Sequence, residues 1–363
     1  MGYRTTNRLE YLDWVRGIGA VIMLQGHTFH SFMRPDLRSG EAYSFSQFVG
    51  GMPPAIFLFL TGVTLAFLMT SGERKGLPAA QRVGAALRRA GYLFLLAVLF
   101  RLQLWLFAWP AEAWTDLLRV DILNAMGFAM LVLAPLAALG TRQRAHIAAV
   151  VAFAIAFAAP LVSQLPAGIL PPLARAYVVP DLGAFGFFPW AAYLAFGISA
   201  GSLIRILPQD MMGRAMRWSA LVGAMLIVIS QYFAALPQSL YPKSDFWLNS
   251  PAQILTKQGV TMLVLSCAYL WTRYGAGTGW SWVRQLGTTS LLVYWVHVEL
   301  VYGRWLYFWK NSLDVRQTVL AAVAVILLML ALSAAWTRRY RIAEWLAGWR
   351  WAWNATPDRV PGD

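Results

Sequence analysis

The 363 residues are 59% hydrophobic and 13% charged, with a formal net charge of +14 and a single cysteine, Cys267. A soluble domain is roughly 45–50% apolar and about 25% charged, so the composition excludes a soluble globular protein and implies an all-α, polytopic transmembrane helix bundle. One cysteine excludes an intramolecular disulfide and a cysteine-cluster metal site, and the basic residues lie at segment ends, which fits anionic lipid rather than nucleic acid.

The chain opens on a polar stretch, MGYRTTNR, and no cleavable signal peptide is expected, because the next apolar segment has no small-residue cleavage site. Spans of about 20 mostly apolar residues are expected near 12–33, 48–70, 88–109, 119–139, 146–164, 184–205, 217–236, 253–272, 285–306 and 316–337, about ten in all, forming one membrane domain over 1–363. The tail RIAEWLAGWRWAWN, 341–354, is basic and aromatic and reads as an amphipathic helix lying on the inner leaflet.

Loop charges set the expected orientation. Arg4 and Arg8 precede the first span. Arg74, Lys75, Arg82, Arg88 and Arg89 face only Glu73. Arg142 with Arg144, Arg214 with Arg217, and Arg273 with Arg284 are also basic. The intervening loops are close to neutral: Arg34 and Arg38 meet Asp36 and Glu41, Glu112 and Asp116 meet Arg119, Arg175 meets Asp181, and Lys243 meets Asp245. Basic loops belong inside, so both termini are expected in the cytoplasm, with a bacterial inner membrane as the setting. The exception is 304–316, where Arg304, Lys310 and Arg316 outnumber Asp314 on the outer side.

The first span is LDWVRGIGAVIMLQGHTFH, residues 12–30, and it carries Asp13, Arg16, Gln25, His27 and His30. Ionisable groups inside a span are costly and mark candidate functional sites. Arg16 and His27 are eleven steps apart, which at ~100° and ~1.5 Å per residue returns to nearly the same helix face ~16 Å further on. Asp13, Arg16, Met23, His27 and His30 therefore share a stripe from the surface to mid-membrane. Plainer readings stay open: Arg16 as a helix-end anchor, Asp13–Arg16 as an interfacial ion pair, His30 as a wetted surface residue, and His27 or His297 as interhelical hydrogen bonds. Other polar residues expected inside spans are Arg101, Gln103, Asp121, Asn124, Gln231, Lys257, Gln258, His297 and Glu299, with Arg304 on the His297 face. Arg101 and Asp121 have the alternative of a structural pair, and His146 reads as interface.

There is no phosphate-loop motif, no H-E-x-x-H and no G-x-S-x-G. The glycine-rich run 275–279 reads as a turn, and His27 with His30 is too small a set for a metal site, so no metal is expected.

Leu12-Asp13-Trp14-Val15-Arg16-Gly17 with His27 is an R-x10-H arrangement within the first span, and it resembles the transmembrane acyltransferase superfamily, which includes the family-three membrane acyltransferases. Phe57-Leu-Phe-Leu-Thr61-Gly62 and Leu286-Gly-Thr-Thr-Ser290-Leu-Leu-Val-Tyr294-Trp-Val-His297 resemble the heparan-α-glucosaminide N-acetyltransferase-like branch. The resemblance implies transfer of an acyl group, usually acetyl, from cytoplasmic acetyl-coenzyme A to a sugar or glycan on the far side. His27 is then the expected base, Arg16 lies at the donor's entrance, and Asp13 fixes Arg16. Arg16, Arg74, Lys75, Arg82, Arg88 and Arg89 would hold donor phosphates, although lipid anchoring explains the loop charges equally well. His30, Asp121, Asn124, His297, Glu299 and Arg304 would bind the acceptor. Direct transfer and an acyl-histidine are both open, and a homodimer is compatible with the reading. The alternative is a secondary transporter with the buried charges as a proton or ion relay; the halves of the chain show no matching repeat.

Overall fold

The computed structural model describes residues 9–110, 113–181, 185–237, 239–275 and 279–339. Arg4, Arg8, Glu112, the middle of the 275–279 turn and the interfacial helix expected at 341–354 lie outside the described residues. The described chain is helical: α1 (Glu10–Phe32), α2 (Glu41–Gly50), α3 (Pro53–Arg74), α4 (Ala79–Ala108), α5 (Ile122–Leu133), α6 (Thr141–Ser163), α7 (Pro172–Val178), α8 (Phe187–Ile206), α9 (Met212–Ala234), α10 (Pro251–Leu270), α11 (Trp282–Thr288), α12 (Ser290–Tyr302) and α13 (Val315–Thr337).

Among the described residues, eight helical segments are long and apolar enough to cross a membrane: Tyr43–Arg74, Ala79–Ala108, Trp114–Ala138, Thr141–Ser163, Phe187–Ile206, Gln209–Ala234, Pro251–Gly275 and Val315–Thr337. They coincide with eight of the ten expected spans. The other two are the polar helix α1 and the pair α11–α12. At 23 residues, α1 is ~35 Å long, a length that matches a ~30 Å hydrocarbon layer, though its polar residues keep it out of the eight apolar segments.

Two expectations change. The third span begins earlier than expected, because Ala79-Ala-Gln-Arg-Val-Gly-Ala-Ala-Leu-Arg-Arg-Ala is rich in helix formers and follows Pro78 at the N-cap. Arg82, Arg88 and Arg89 therefore sit on the first turns of α4, and the loop after Arg74 is only residues 75–78. The ninth span is broken at Thr289 (φ −118°, ψ 21°) rather than continuous. Gly287 and two β-branched threonines weaken the helix there. The polar groups around the break find partners within the bundle, as a membrane interior demands. Thr288 Oγ1 donates to the Gln285 carbonyl at 2.8 Å, Gln285 Nε2 donates to Ser333 Oγ of α13 at 2.9 Å, and Thr289 Oγ1 lies 2.5 Å from Ser333 Oγ.

The helices approach closely where side chains are small, as expected in a bilayer, which gives apolar side chains no reason to avoid lipid. A Cβ at Gly62 of α3 would strike the Leu194 carbonyl of α8, and one at Gly197 would strike the Phe59 carbonyl. The same applies to Gly17 against Val283 and Gly287 against Asp13, which bring α11 onto α1. The outer surfaces of α4, α9 and α13 remain apolar and exposed, with Leu95, Val98, Val228, Ile229, Leu320 and Leu327 among them. α1 instead touches α2, α3, α10, α11, α12 and α13. A helix that carries Asp13, Arg16, His27 and His30 thus lies inside the bundle, with partners on several sides.

Candidate active site

Near the start of α1, Arg16 Nη1 donates to Asp13 Oδ1 at 3.0 Å; Asp13 is 2% exposed and the Arg16 side chain 25%. The two are an i, i+3 pair on one helix, as the spacing predicted. Packing of α11 through Gly17 and Gly287 holds the pair, because the carbonyl against Gly287 is that of Asp13 itself.

Three turns along, α1 meets α12. His27 Nδ1 lies 2.8 Å from His297 Nε2, and His297 Nδ1 lies 2.8 Å from the Val293 carbonyl. A carbonyl only accepts, so His297 Nδ1 carries a proton. In the neutral ring His297 Nε2 then accepts, and His27 Nδ1 donates to it. That leaves Nε2 of His27 with its lone pair and outside this chain, the state a general base requires. His297 is fully buried and His27 half-buried. The two rings stack with centroids 5.1 Å apart, and Tyr302 sets its edge against His27 at 5.3 Å. Tyr302 Oη lies 3.3 Å from Nδ1 of His30, which is exposed. Ser31 Oγ donates to the Val301 carbonyl at 2.8 Å and ties the ends of α1 and α12 together. Two residues 270 apart in sequence thus form one unit.

At the opposite end, a cleft of about 220 Å³ is lined by Thr70, Ser71, Arg74, Lys75 and Arg205. Arg74 Nη2 donates to the Arg205 carbonyl at 2.7 Å, and the Arg205 guanidinium lies over the Phe67 ring, 4.1 Å from its centre. Three cations around one cleft fit a phosphate-bearing ligand. The other expected cations lie elsewhere. Arg82 donates to the carbonyls of Ala138 (3.0 Å) and Leu139 (3.1 Å) and lies 3.9 Å from Glu73. Arg88 and Arg89 are exposed on α4, with Arg89 over Tyr92.

The expected acceptor residues do not converge on one spot. Asp121 is the N-cap of α5: its Oδ1 accepts from the backbone N–H of Leu123 (2.9 Å) and Asn124 (3.1 Å), while Oδ2 lies 3.3 Å from Arg101. Asn124 accepts from Tyr177 Oη at 3.0 Å. These residues have structural employment there, and the Arg101–Asp121 pair weighed as an alternative is formed. Glu299 and Arg304 line a separate cavity at the far end of α12, with Phe107 and Trp305. Arg304 donates to the carbonyls of Ala108 and Trp109, and Lys310 to that of Tyr302. Two of the cations in the anomalous 304–316 loop are therefore on carbonyls at the C-terminal ends of α4 and α12, where a positive charge is favoured.

Arg144, Arg205 and Tyr302 were not among the residues singled out from the sequence. Arg144 reads as one more loop charge, yet it is fully buried; its place in the first turn of an apolar segment carried no distinguishing signal. Arg205 closes an apolar span and could have been found as the basic residue in its last turn.

The sequence model of an acyltransferase domain, that of acyltransferase family 3, matches residues 9–338. No curated protein matches the chain. The match does not favour a solute transporter. Running from just before α1 to just past α13, it shows that the chain belongs to acyltransferase family 3, as an integral membrane acyltransferase.

Proposed function

We propose that the protein transfers a short acyl group, acetyl in the first instance, from acyl-coenzyme A on the cytoplasmic side to a sugar or glycan hydroxyl or amine on the other side. The single observation that carries the reading is the relay His27–His297–Val293, which leaves His27 Nε2 as an available base in the middle of the bundle. Kinship to the heparan-α-glucosaminide branch rests on the Phe57–Gly62 and Leu286–His297 stretches alone.

Supporting observations lie at both ends. The cleft of Arg74, Lys75 and Arg205 suits the donor's phosphates and belongs in the cytoplasm by its charge. α1 begins and α13 finishes at that same end, which supports the reading that both termini are cytoplasmic. Arg16, braced by Asp13, lies between this end and His27 on α1. In the proposed step the acceptor's O–H or N–H gives its proton to His27 Nε2 while its heteroatom attacks the thioester carbonyl. The tetrahedral adduct then collapses, the C–S bond breaks, and the coenzyme A thiolate leaves and takes up a proton. A histidine base is suited to this because its pKa lies near neutrality in the absence of perturbation. His297 would hold the His27 tautomer and spread the charge that forms.

The test is transfer of labelled acetyl from acetyl-coenzyme A to amino sugars and neutral sugars by purified protein in detergent. His27→Ala is expected to abolish transfer while the protein keeps its helical content and melting temperature. Full activity in that variant would remove His27 from the chemistry. Uptake of a sugar into proteoliposomes without any acyl donor would favour transport instead.

A further inference from the structure

The end of α12 carries a second polar site on its other flank. Glu299 follows His297 by two residues, which turns it ~200° round the helix. It shares a face with Trp295, four residues back, whose indole N–H donates to Gln103 of α4. His297 faces α1 and Glu299 faces α4. A cavity of about 380 Å³ opens there, lined by Phe107, Glu299, Arg304 and Trp305. That volume is at the lower end of the ~300–1,000 Å³ typical of small-molecule sites.

Glu299 is 6% exposed, and its Oε2 has no hydrogen-bond partner among the described residues. A buried carboxylate oxygen left in this state is poised for a ligand's donor. The neighbouring cations do not fill the role. Lys310 is engaged with the Tyr302 carbonyl at 2.5 Å, and Arg304 with Ala108 and Trp109. Those two contacts leave Arg304 with further N–H groups, since a guanidinium has five. The Trp305 indole N–H is a donor to the Glu299 carboxylate, yet the ring is 65% exposed, so one large aromatic surface is open beside the acid and Oε2 remains without a partner among the described residues.

We propose that this cavity is a carbohydrate subsite for a ring of the acceptor other than the one acylated. The proposal rests on the sugar-acceptor reading above and extends it. A carboxylate and a guanidinium side by side bind vicinal hydroxyls as acceptor and donor, and the Trp305 and Phe107 rings offer apolar walls to the C–H face of a sugar. Because the cavity and the histidines lie on opposite flanks of α12, one ring does not occupy both. The acceptor is then an oligosaccharide or longer glycan that wraps the end of α12.

The experiment is direct binding by calorimetry on the purified full chain in detergent, with a panel of neutral and amino monosaccharides and the matching tetrasaccharides. Tetrasaccharides are expected to bind more tightly than their monomers. Glu299→Gln is expected to weaken tetrasaccharide binding by about 10- to 100-fold, the range for losing a hydrogen bond to a charged group, and Trp305→Ala to weaken it through loss of the apolar wall; both are expected to raise KM for tetrasaccharides far more than they lower kcat. His27→Ala is expected to lose transfer and keep tetrasaccharide binding. Tetrasaccharides that bind no better than monosaccharides, or that bind both cavity variants as tightly as the parent, overturn the subsite and leave the catalytic reading standing. Binding that depends on Glu299 in a protein that transfers no acyl group would keep the subsite and sink the catalysis.

Discussion

Arg144 and His27 are both ionisable side chains carried into the bundle, and the molecule treats them in opposite ways. Every nitrogen of the Arg144 guanidinium is engaged: Nε donates to Ser202 Oγ at 3.2 Å, Nη1 to the Leu139 carbonyl at 3.1 Å, and Nη2 to the hydroxyls of Thr70 (2.7 Å) and Thr141 (2.9 Å). Glu73 stands 3.7 Å away and accepts from the Thr141 backbone N–H at 3.1 Å. This network joins α3, α6 and α8 at one end and leaves no nitrogen without a partner. The histidine relay is as well anchored at its far end, on the Val293 carbonyl, but its near end stops at an imidazole nitrogen. A partner on every nitrogen marks a structural cation. An unfinished chain of hydrogen bonds in the same membrane marks a place for a reactant.

The sharpest way to break this contrast is to exchange the consequences. His27→Ala removes the open nitrogen and is expected to lower acyl transfer by about 10²- to 10⁴-fold, the usual worth of a positioned base, with little change in the thermal midpoint. Initial rates alongside circular-dichroism melts check both halves. Arg144→Met should do the reverse. Removing the guanidinium leaves the Leu139 carbonyl and the Ser202 and Thr70 hydroxyls short of a partner, at ~1–3 kcal/mol for a buried polar group left unsatisfied, so this variant is expected to melt well below the parent or to be lost on extraction. An unchanged melt for Arg144→Met would mean that the network does not hold the helices together.

Smaller effects sharpen the distinction. His297→Phe keeps a ring in a fully buried place but cannot receive the His27 proton. Loss of such a supporting partner costs about 10- to 100-fold in activity, expected here in kcat, with KM for the donor unchanged and the pH profile altered. A fall confined to KM would assign His297 to binding instead. Asn124→Ala, in the structural class with Arg144, removes the bond from Tyr177 and is expected to cost about 0.5–1.5 kcal/mol. It would move the melt slightly and leave the kinetics alone; a large kinetic defect would return Asn124 to the acceptor site.

Much of this could be read along the chain. Apolar runs of sufficient length place the spans, because a bilayer demands continuous helices whose backbone groups are satisfied internally. The R-x10-H stripe in α1 follows from helical period alone, and the Asp13–Arg16 pair follows from i, i+3 spacing. The break at Thr289 was only half visible. Gly287-Thr-Thr-Ser290 is a poor helical run, but the break is tolerable because Gln285 and Ser333, 48 residues apart, supply partners for the freed groups.

Local periodicity and composition thus decided that the chain is a membrane bundle and that His27 and Arg16 share a face. Which residue of another helix would meet His27 was decided only by packing, since a separation of 270 positions between His27 and His297 carries no pairing information along the chain. The same holds for Arg144, Arg205 and Glu299. A charged residue reads identically in sequence whether its hydrogen bonds are all made or one is left open, and that difference exists only once the helices are side by side.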